Sequence, residues 1–283
     1  MTLDYDRLRA HEFPVVEHTY TARDCMLYAL SVGFGRDADP SDLPFVFERE
    51  LRVVPTLAVT LGFRSIRDAN LGIDYTKVVH SEQTLELHQP LPAAATVRCT
   101  TRVAEVVDKG PGRGAILYLA RTLTDQATGA RLAMSTMAAF CRADGGFGGP
   151  VTQAPPPHAI PDRAPDEVAT VALPLNAALL YRLSGDYNPL HADPAFAARA
   201  GFSRPILHGL QPFGEVARLV LQGPAGGDPA RLQAMGCRFT GTLFPGDAVQ
   251  VQLWREPQGL AFRVRPVGRE GVALDNGWVR LAD

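Results

Sequence analysis

The sequence predicts an α+β fold made of two similar units, on the basis of an internal repeat, alternating strand patterns and one amphipathic helix. The repeat consists of three short matches at nearly one offset, and such agreement indicates a duplicated unit. The matches are LYALS at 27–31 with LYRLS at 180–184, PTL at 55–57 with PIL at 205–207, and LP at 91–92 with FP at 244–245.

Each unit has the same order of local patterns: a helical stretch, a proline-led apolar segment and then strands. Residues 96–103 and 249–253 alternate between apolar and polar types, which is typical of half-buried antiparallel strands. A stripe of apolar residues at helical spacing follows Gly209, namely Leu210, Phe213, Ala217, Val220 and Leu221. Both apolar surfaces are buried if each sheet curls around a helix.

A segment rich in glycine and proline divides the chain. Residues 145–167 read GGFGGPVTQAPPPHAIPDRAPDE, a composition that suits neither a helix interior nor a central strand. We therefore predict an N-terminal unit at residues 1–144, a linker at 145–170 and a C-terminal unit at 171–283.

Composition excludes several classes of function. The 283-residue chain is 46% apolar, enough for a sizeable core, and its formal charge of −2 supplies no field that would gather nucleic acid or anionic lipid. Its four cysteines form no C-x-x-C pair, so buried free thiols in a reducing compartment are expected. No apolar run reaches signal or membrane-spanning length, and no nucleotide-binding glycine loop occurs, so we expect a cytoplasmic protein with no membrane partner.

The segment YRLSGDYNPLHADP, residues 181–194, carries the main candidate chemistry. Pro189 should keep the middle of this segment out of a helix and hold Asn188 extended, while Asp193 caps a helix that starts at Pro194. Asp186 and His191 then lie five residues apart on a short, restricted loop. A carboxylate and an imidazole facing one water can move a proton in each direction, as the addition or removal of water requires. The alternative is that Asp186 only closes an Asx-turn and the imidazole only packs.

A second segment, SRPILHGL at residues 203–210, places Gly209 at the start of the amphipathic helix. A helix N-terminus offers free backbone N–H groups, and glycine lets a ligand oxygen approach them closely. Such a donor could stabilise an enolate-like oxygen. The alternative is that Gly209 only permits tight helix packing.

Together these residues, YRLSGDYNPLHADPAFAARAGFSRPILHGL, resemble the signature of the MaoC-like hydratases, in particular the (R)-specific enoyl-CoA hydratase 2 family. Looser similarity extends over YTARDCMLYALSVG, VVPTLAVTLG and HSEQTLELHQPLP in the first half. The resemblance implies a double hot-dog fold, in which each of two long helices is wrapped by an antiparallel sheet. It also implies a lyase of fatty-acid metabolism that reversibly hydrates trans-2-enoyl-CoA to (3R)-3-hydroxyacyl-CoA.

The resemblance implies roles for particular residues. Asp186 and His191 would hold and activate the water, Asn188 would support them, and the Gly209 amide would bind the thioester carbonyl. Substrate contacts are expected from four further residues: Arg182, Tyr187, His208 and Leu210. No cofactor is expected besides the coenzyme A of the substrate, and the expected assembly is a homodimer.

The sequence departs from the family pattern at Gln211, where relatives often have cysteine, which puts the pocket lining in doubt. Asp186 and His191 form a dyad in the second unit. At the positions that match this dyad and Gly209, the first unit has residues 33–37 and Val59, so it lacks the proton-transfer pair. We infer a broad pocket for long or bulky acyl tails. His80, with its neighbours Glu82 and Gln83, also matches the family; these residues could contribute to the site, but we expect a structural role at a strand edge.

Other functions were weighed. Asp186, His191, Asp193 and His208 are metal-ligand types, but their spacing matches no zinc motif and Asp193 has a cap to form, so no metal site is predicted. Hot-dog folds also host thioester hydrolysis, which makes an acyl-CoA thioesterase the main alternative. A non-catalytic module that binds acyl-CoA or a protein partner is the third possibility.

Overall fold

The computed structural model describes residues 3–150 and 153–282, and its main element is one antiparallel sheet. The strands are β1 Val16–Tyr20, β2 Val78–Leu87, β3 Ala95–Asp108, β4 Ala115–Asp125, β5 Arg131–Cys141, β6 Glu167–Ala172, β7 Leu232–Phe239, β8 Ala248–Glu256, β9 Gly259–Pro266 and β10 Leu274–Leu281. The helices are α1 Tyr5–Arg9, α2 Ala22–Ser31, α3 Leu43–Val46, α4 Ala177–Tyr181, α5 Pro194–Arg199 and α6 Leu210–Gln222. Among the described residues, no helix combines the length and the apolar character needed to cross a bilayer.

The strand order shows the internal repeat directly. Across the sheet the order is β1-β3-β4-β5-β2-β7-β10-β9-β8-β6, so the second unit repeats the order of the first in reverse. The two units meet where β2 pairs with β7, from Glu82 opposite Arg238 to Glu86 opposite Ala234. The predicted strands at 96–103 and 249–253 lie in β3 and β8, as expected. Two similar units therefore share one continuous sheet.

The region between the units is shorter than the predicted linker. Residues 153–166 contain neither helix nor strand, but β6 begins at Glu167, inside the predicted linker at 145–170. Its residues 168–172 pair with β8, which recruits them into the second sheet half. Residues 151 and 152 of the predicted linker, and the predicted chain ends at 1 and 283, lie outside the described residues.

Helix α6 is the centre of the second unit. Four members of the predicted stripe are fully buried, and only Leu210 in the first turn is partly exposed. Burial of each large apolar side chain stabilises the fold by about 1.5–3 kcal/mol. At Gly214 the helix touches Val32, whose Cγ1 would lie 2.4 Å from a β-carbon at that glycine. The helix is therefore packed between its own sheet half and the first unit.

Among the described residues of the first unit, no helix is as long as α6. At the position matching the start of α6 it forms only a 3₁₀ turn, Pro55–Val59. The chain then reverses at Gly62, where φ is +63°, against Cys99, whose Sγ would lie 2.2 Å from a β-carbon at residue 62. A left-handed glycine ends a helix. The long helix expected in each unit is thus present in the second unit alone, and the ten-residue α2 is the main helix of the first.

A buried ionic cluster joins the two units beside α6. The Glu215 carboxylate is 1% exposed and accepts from both terminal nitrogens of Arg36, over 2.8 and 3.1 Å. It also accepts from Nε of Arg218 over 3.3 Å. The Gln211 amide donates to Glu215 and to the carbonyl oxygen of Ser31, each over 3.1 Å. Gln211 therefore binds the two units together in this cluster.

Candidate active site

The loop after α4 holds the two candidate acid/base residues. Gly185 reverses the chain with φ of +121°, and Asp186 follows it. The Asp186 carboxylate accepts from the Asn188 backbone N–H over 3.2 Å, while the Asn188 side chain accepts from the Leu190 N–H over 3.1 Å. The Asx-turn considered as an alternative for Asp186 is therefore present, and it orients the carboxylate.

The prediction that proline excludes a helical turn here is wrong at one point. Pro189 begins a three-residue 3₁₀ turn that ends at His191, because proline suits the first position of a helical turn. Asn188 precedes it with φ of −52° and ψ of 122°, which is nearer to polyproline II than to the extended strand conformation that was expected. The predicted cap at Asp193 is confirmed, since its carboxylate accepts from the N–H groups of Ala195 and Phe196 at the start of α5.

The His191 side chain is buried, with 8% exposed, and one of its ring nitrogens forms a hydrogen bond within the protein. Its Nδ1 lies 2.9 Å from the carbonyl oxygen of Ile206. A carbonyl oxygen only accepts, so Nδ1 carries the hydrogen and Nε2 keeps its lone pair. Burial lowers the pKa of His191, against the opposing effects of the Ile206 bond and of Asp186, so the ring is neutral at neutral pH.

The structure brings Asp186 and His191 together as expected, and it adds His208. Each of the three residues places one carboxylate oxygen or ring nitrogen within 4.8 Å of those of the other two. A single water that forms two hydrogen bonds of about 2.8 Å can bridge such a span. Because Ile206 occupies Nδ1 of His191, Nε2 is the nitrogen that remains for a water shared with Asp186.

His208 lies behind the dyad and is 2% exposed. Its ring stacks on that of His191 with centroids 3.6 Å apart and planes 25° apart. Its Nε2 lies 3.2 Å from the main-chain oxygen of Asp186, so Nε2 donates. Burial, with a smaller effect from His191, lowers the pKa of His208 to about 3.

Gly209 follows His208 and lies at the N-cap of α6, where backbone N–H groups have no partner within the helix. It is exposed, although its neighbour His208 is buried. A β-carbon at this position would lie 2.8 Å from the Phe239 ring, which the His80 ring contacts edge-on at 4.7 Å. Both properties weighed for Gly209 are therefore present: a free helix end and a close contact that excludes a side chain.

The remaining predicted substrate contacts lie around this centre. The Arg182 guanidinium lies over the Tyr187 ring at 4.9 Å, and Tyr187 is 57% exposed. Leu210 packs against the main core from the first turn of α6. Next to the dyad, Tyr187 is thus exposed and Arg182 is partly buried against it.

The expectation of a strand-edge role holds for His80 but not for its neighbours. Among the described pairings His80 faces only Ala139 of β5, because the pairing of β2 with β7 begins at Glu82, whereas Glu82 and Gln83 have partners on both sides. Glu82 forms an ion pair with Arg238 over 2.9 Å across the junction of the two units. His80 reaches Gly209 through Phe239, a connection that sequence alone did not indicate because the residues are far apart in the chain.

Asp186, His191 and His208 are also the residues that could hold a metal ion. An imidazole binds a metal through a lone pair in the plane of its ring. The planes of the two stacked rings are 25° apart and their centroids are 3.6 Å apart, so the two ring planes do not meet close to the rings. Both rings cannot point at one ion unless one of them turns, so the described geometry does not fit a metal centre. Asp193, the fourth candidate, caps α5 instead.

The matching loop of the first unit is filled by the ionic cluster. A β-carbon at Gly33 would lie 2.6 Å from a carboxylate oxygen of Glu215, and Arg36 forms an ion pair with the same group over 2.8 Å. In the first unit, the Arg36 guanidinium and the Glu215 carboxylate of α6 thus occupy the place that matches the Asp186–His191 dyad. The second unit alone brings a carboxylate and an imidazole to this position in the described chain.

Comparison with known proteins identifies the family. The MaoC like domain family matches residues 157–272, and the MFE-2 hydratase 2 N-terminal domain family matches residues 18–143. The chain is 37% identical over 290 residues to 3-hydroxyacyl-thioester dehydratase Y of Mycobacterium tuberculosis, covering 99% of this chain and 98% of the relative. The chain belongs to the MaoC-like hydratase 2 family.

Other members of the family extend this result. Enoyl-CoA hydratase 2, peroxisomal, of Arabidopsis thaliana is 34% identical, over 95% of this chain and 93% of the relative. Peroxisomal multifunctional enzyme type 2 of Mus musculus is 36% identical over 96% of this chain, which spans only 38% of that larger enzyme. The family places the protein among hydratases and dehydratases.

Solved structures confirm the predicted double hot-dog. A MaoC-like dehydratase from Phytophthora capsici superposes with a TM-score of 0.88 at 29% identity, over 98% of both chains. Full-length peroxisomal multifunctional enzyme type 2 from Drosophila melanogaster gives a TM-score of 0.81 at 31% identity, over 95% of this chain and 48% of the other. Rv0216 of Mycobacterium tuberculosis, described as a double hot-dog, shares the fold at a TM-score of 0.62, 18% identity and coverage of 99% and 98%.

Proposed function

We propose that the protein is a hydro-lyase that reversibly hydrates trans-2-enoyl-CoA to (3R)-3-hydroxyacyl-CoA. The observation that carries this proposal is the approach of the Asp186 carboxylate and the neutral His191 ring within 4.8 Å, beside the N-terminus of α6. Relatives named enoyl-CoA hydratase 2 and 3-hydroxyacyl-thioester dehydratase Y support the reaction. Their names also favour hydration over thioester hydrolysis or simple binding.

In the hydration direction, the water is held between the carboxylate of Asp186 and Nε2 of His191. One of these groups takes a proton from the water as its oxygen bonds to C3, and the pair returns a proton to the α-carbon. The C2=C3 double bond is consumed, and one C–O and one C–H bond form. Because the two groups interact closely, their protonation belongs to the pair.

The Gly209 amide has the role of stabilising the thioester oxygen. Negative charge develops on that oxygen when the water adds, and a backbone N–H at a helix N-terminus is a preorganised donor for it. Asn188 has a supporting role, because its backbone N–H and its side chain bond on both sides of the dyad loop. These contacts hold the carboxylate in place without a proton transfer by Asn188. Arg182, Tyr187 and Leu210 have the role of contacting the rest of the substrate.

The acyl group is proposed to be long or bulky. The dyad loop faces the shortened helical segment of the first unit, since a β-carbon at Gly185 would lie 3.8 Å from the Thr60 oxygen. Here the first unit has only the turn Pro55–Val59, where the second unit has the thirteen-residue α6. We infer that the acyl tail extends beside this turn, where a helix as long as α6 would otherwise stand.

The direct test is a panel of trans-2-enoyl-CoA substrates of increasing chain length, with chiral analysis of the products. We expect (3R)-hydroxyacyl products and activity that persists beyond crotonyl-CoA. The same protein is mixed with saturated acyl-CoA while free thiol is followed. Thiol release without any hydration would instead establish a thioesterase, and tight acyl-CoA binding with neither reaction would establish a binding module.

We likewise propose that the protein uses no metal or organic cofactor, because the nearly parallel planes of the stacked His191 and His208 rings keep both rings from facing one ion. Elemental analysis of active protein, with activity measured before and after chelation, tests it. Stoichiometric metal whose removal abolishes hydration would contradict it.

We also propose a cytoplasmic homodimer that takes acyl-CoA as its partner and neither nucleic acid nor membrane. Three exposed leucines, Leu179 in α4 with Leu175 before the helix and Leu183 after it, offer apolar surface that a second copy could cover. Four buried free cysteines agree with a reducing compartment. Light scattering of the parent and of Leu179→Glu tests the dimer, and cell fractionation tests the location.

A further inference from the structure

We infer that His208 is a positioning residue of the reaction, one that holds both members of the dyad while it transfers no proton itself. This inference rests on the proposed hydratase function and deepens it. It also differs from the expectation that His208 contacts the substrate.

The contacts of His208 reach both partners of the dyad. Its Nε2 donates to the main-chain oxygen of Asp186 over 3.2 Å, which anchors the loop at the residue that carries the carboxylate. Its ring covers one face of the His191 ring with a centroid distance of 3.6 Å. Behind it, the buried Tyr181 ring lies 5.0 Å away and closes the stack. Since His208 directly precedes Gly209, one residue also links the dyad to the N-terminus of α6.

His208 is unsuited to proton transfer. Its Nε2 hydrogen is engaged by a carbonyl, and its Nδ1 is buried with no hydrogen-bond partner among the described residues. The charged or titratable groups that act on it are His191 and Arg182, both of which lower its pKa, while the bond to the Asp186 main chain raises it. With burial as the largest effect, its pKa falls to about 3, so the ring stays neutral wherever the protein works.

The stacked ring affects the protonation of His191. Burial is the largest effect on His191 and lowers its pKa, while Arg182 lowers it further and Asp186 raises it. A neutral aromatic face at 3.6 Å supplies part of that burial. Without the face, water reaches the His191 ring and its pKa rises toward the ordinary value. The neutral form is then lost at a higher pH, so the acid limb of the pH–rate profile moves upward.

Two variants separate the two contacts. His208→Phe keeps the aromatic face and loses the donor to Asp186. We expect it to lower kcat about tenfold through misplacement of the carboxylate, with the acid limb where the parent has it. His208→Gln keeps an N–H donor and loses the face. We expect its acid limb to move up by about half a pH unit. His88→Ala, an exposed histidine on the same chain, is the matched control and should behave as the parent.

The readouts keep this inference distinct from the proposed function. If the parent fails to hydrate enoyl-CoA, the proposed function is wrong. The positioning role is wrong if the parent is active but both variants have the kcat and the acid limb of His88→Ala. It is also wrong if only His208→Phe shifts the acid limb. Ring-proton NMR of the parent needs no variant to fold: a His208 ring that titrates near pH 6 would overturn the inference, whereas a ring still neutral at pH 4.5 supports it.

Discussion

Nδ1 of His191 donates to the main-chain oxygen of Ile206 over 2.9 Å, and this bond determines which nitrogen faces Asp186. The carbonyl lies in the segment that leads into α6, so the helix whose N-terminus would hold the thioester also sets the tautomer of the imidazole. His191 and Gly209, which are proposed to act on the water and on the thioester oxygen, are thus positioned by one stretch of chain, and displacement of that stretch should affect both.

Replacement of Asp186 by Asn should lower the rate of enoyl-CoA hydration by about 10² to 10⁴. The rate falls because the amide cannot hold a proton from water. The thermal unfolding curve should change little, because the amide keeps the shape of the side chain. Asp68→Asn, at an exposed aspartate away from the dyad, is the control and should keep full activity. Hydration by Asp186→Asn at the parental rate would show that the carboxylate has no part in the chemistry.

The pH dependence of hydration should reflect the burial of His191. Its pKa is lowered from the ordinary 6.5, so the neutral ring persists to lower pH than in an exposed histidine. We therefore expect kcat/KM for hydration to stay level below pH 6.5 and to decline only under the lowered pKa. Stopped assays across the range, with pre-incubation to exclude denaturation, measure it. A decline centred at or above pH 6.5 would contradict the assigned environment of the ring.

Stability should also decrease in acid, because the buried His191 and His208 and the partly buried His80 bind protons more readily when unfolded. Burial lowers the pKa of His208 to about 3 and that of His80 to about 4, and it also lowers that of His191. For a lowered pKa, the stabilisation is present above the unfolded value of about 6.5 and is lost as pH falls toward the folded value. Denaturant titrations should show less acid sensitivity for His208→Phe. Equal sensitivity in parent and variant would argue against the burial of this ring.

Gly209→Ala should reduce both stability and activity, because the added carbon would lie 2.8 Å from the Phe239 ring. Overpacking of this kind costs about 1–3 kcal/mol of the free energy of unfolding. The backbone N–H is kept, so any loss of kcat reflects displacement of the helix end. The double variant Gly209→Ala with Phe239→Leu relieves the contact and should recover part of both losses. No recovery would mean that the ring contact is not the cause.

Glu215→Gln should destabilise the protein by about 3–5 kcal/mol, because it leaves the guanidinium groups of Arg36 and Arg218 without their buried counter-ion. Glu86→Gln is the matched control. Glu86 faces Arg280 over 3.9 Å, and both side chains are nearly half exposed, so its loss should cost about 0–1 kcal/mol. Urea unfolding of the two variants measures the difference. Similar losses in both would refute a special role for the buried cluster.

Local signals in the sequence were sufficient for much of the fold. Alternation identified β3 and β8, the apolar stripe identified α6, and Asp193 before Pro194 identified the start of α5. Each of these signals acts within a few residues, through side-chain direction or a capping bond, and so it can be read without the rest of the chain. The proximity of Asp186 and His191 was accessible for the same reason.

The tertiary structure decided what depends on contacts between distant residues. Arg36 meets Glu215 across 179 positions, which turns Gln211 from a doubtful pocket residue into part of a buried cluster. His208 meets Asp186 across 22 positions and is stacked on His191 as well. Local sequence patterns reveal which chemical groups the protein carries and which turns hold them. Only the packing of the two units decided which groups are buried, neutral or ion-paired, because burial and charge pairing are properties of the whole assembled chain.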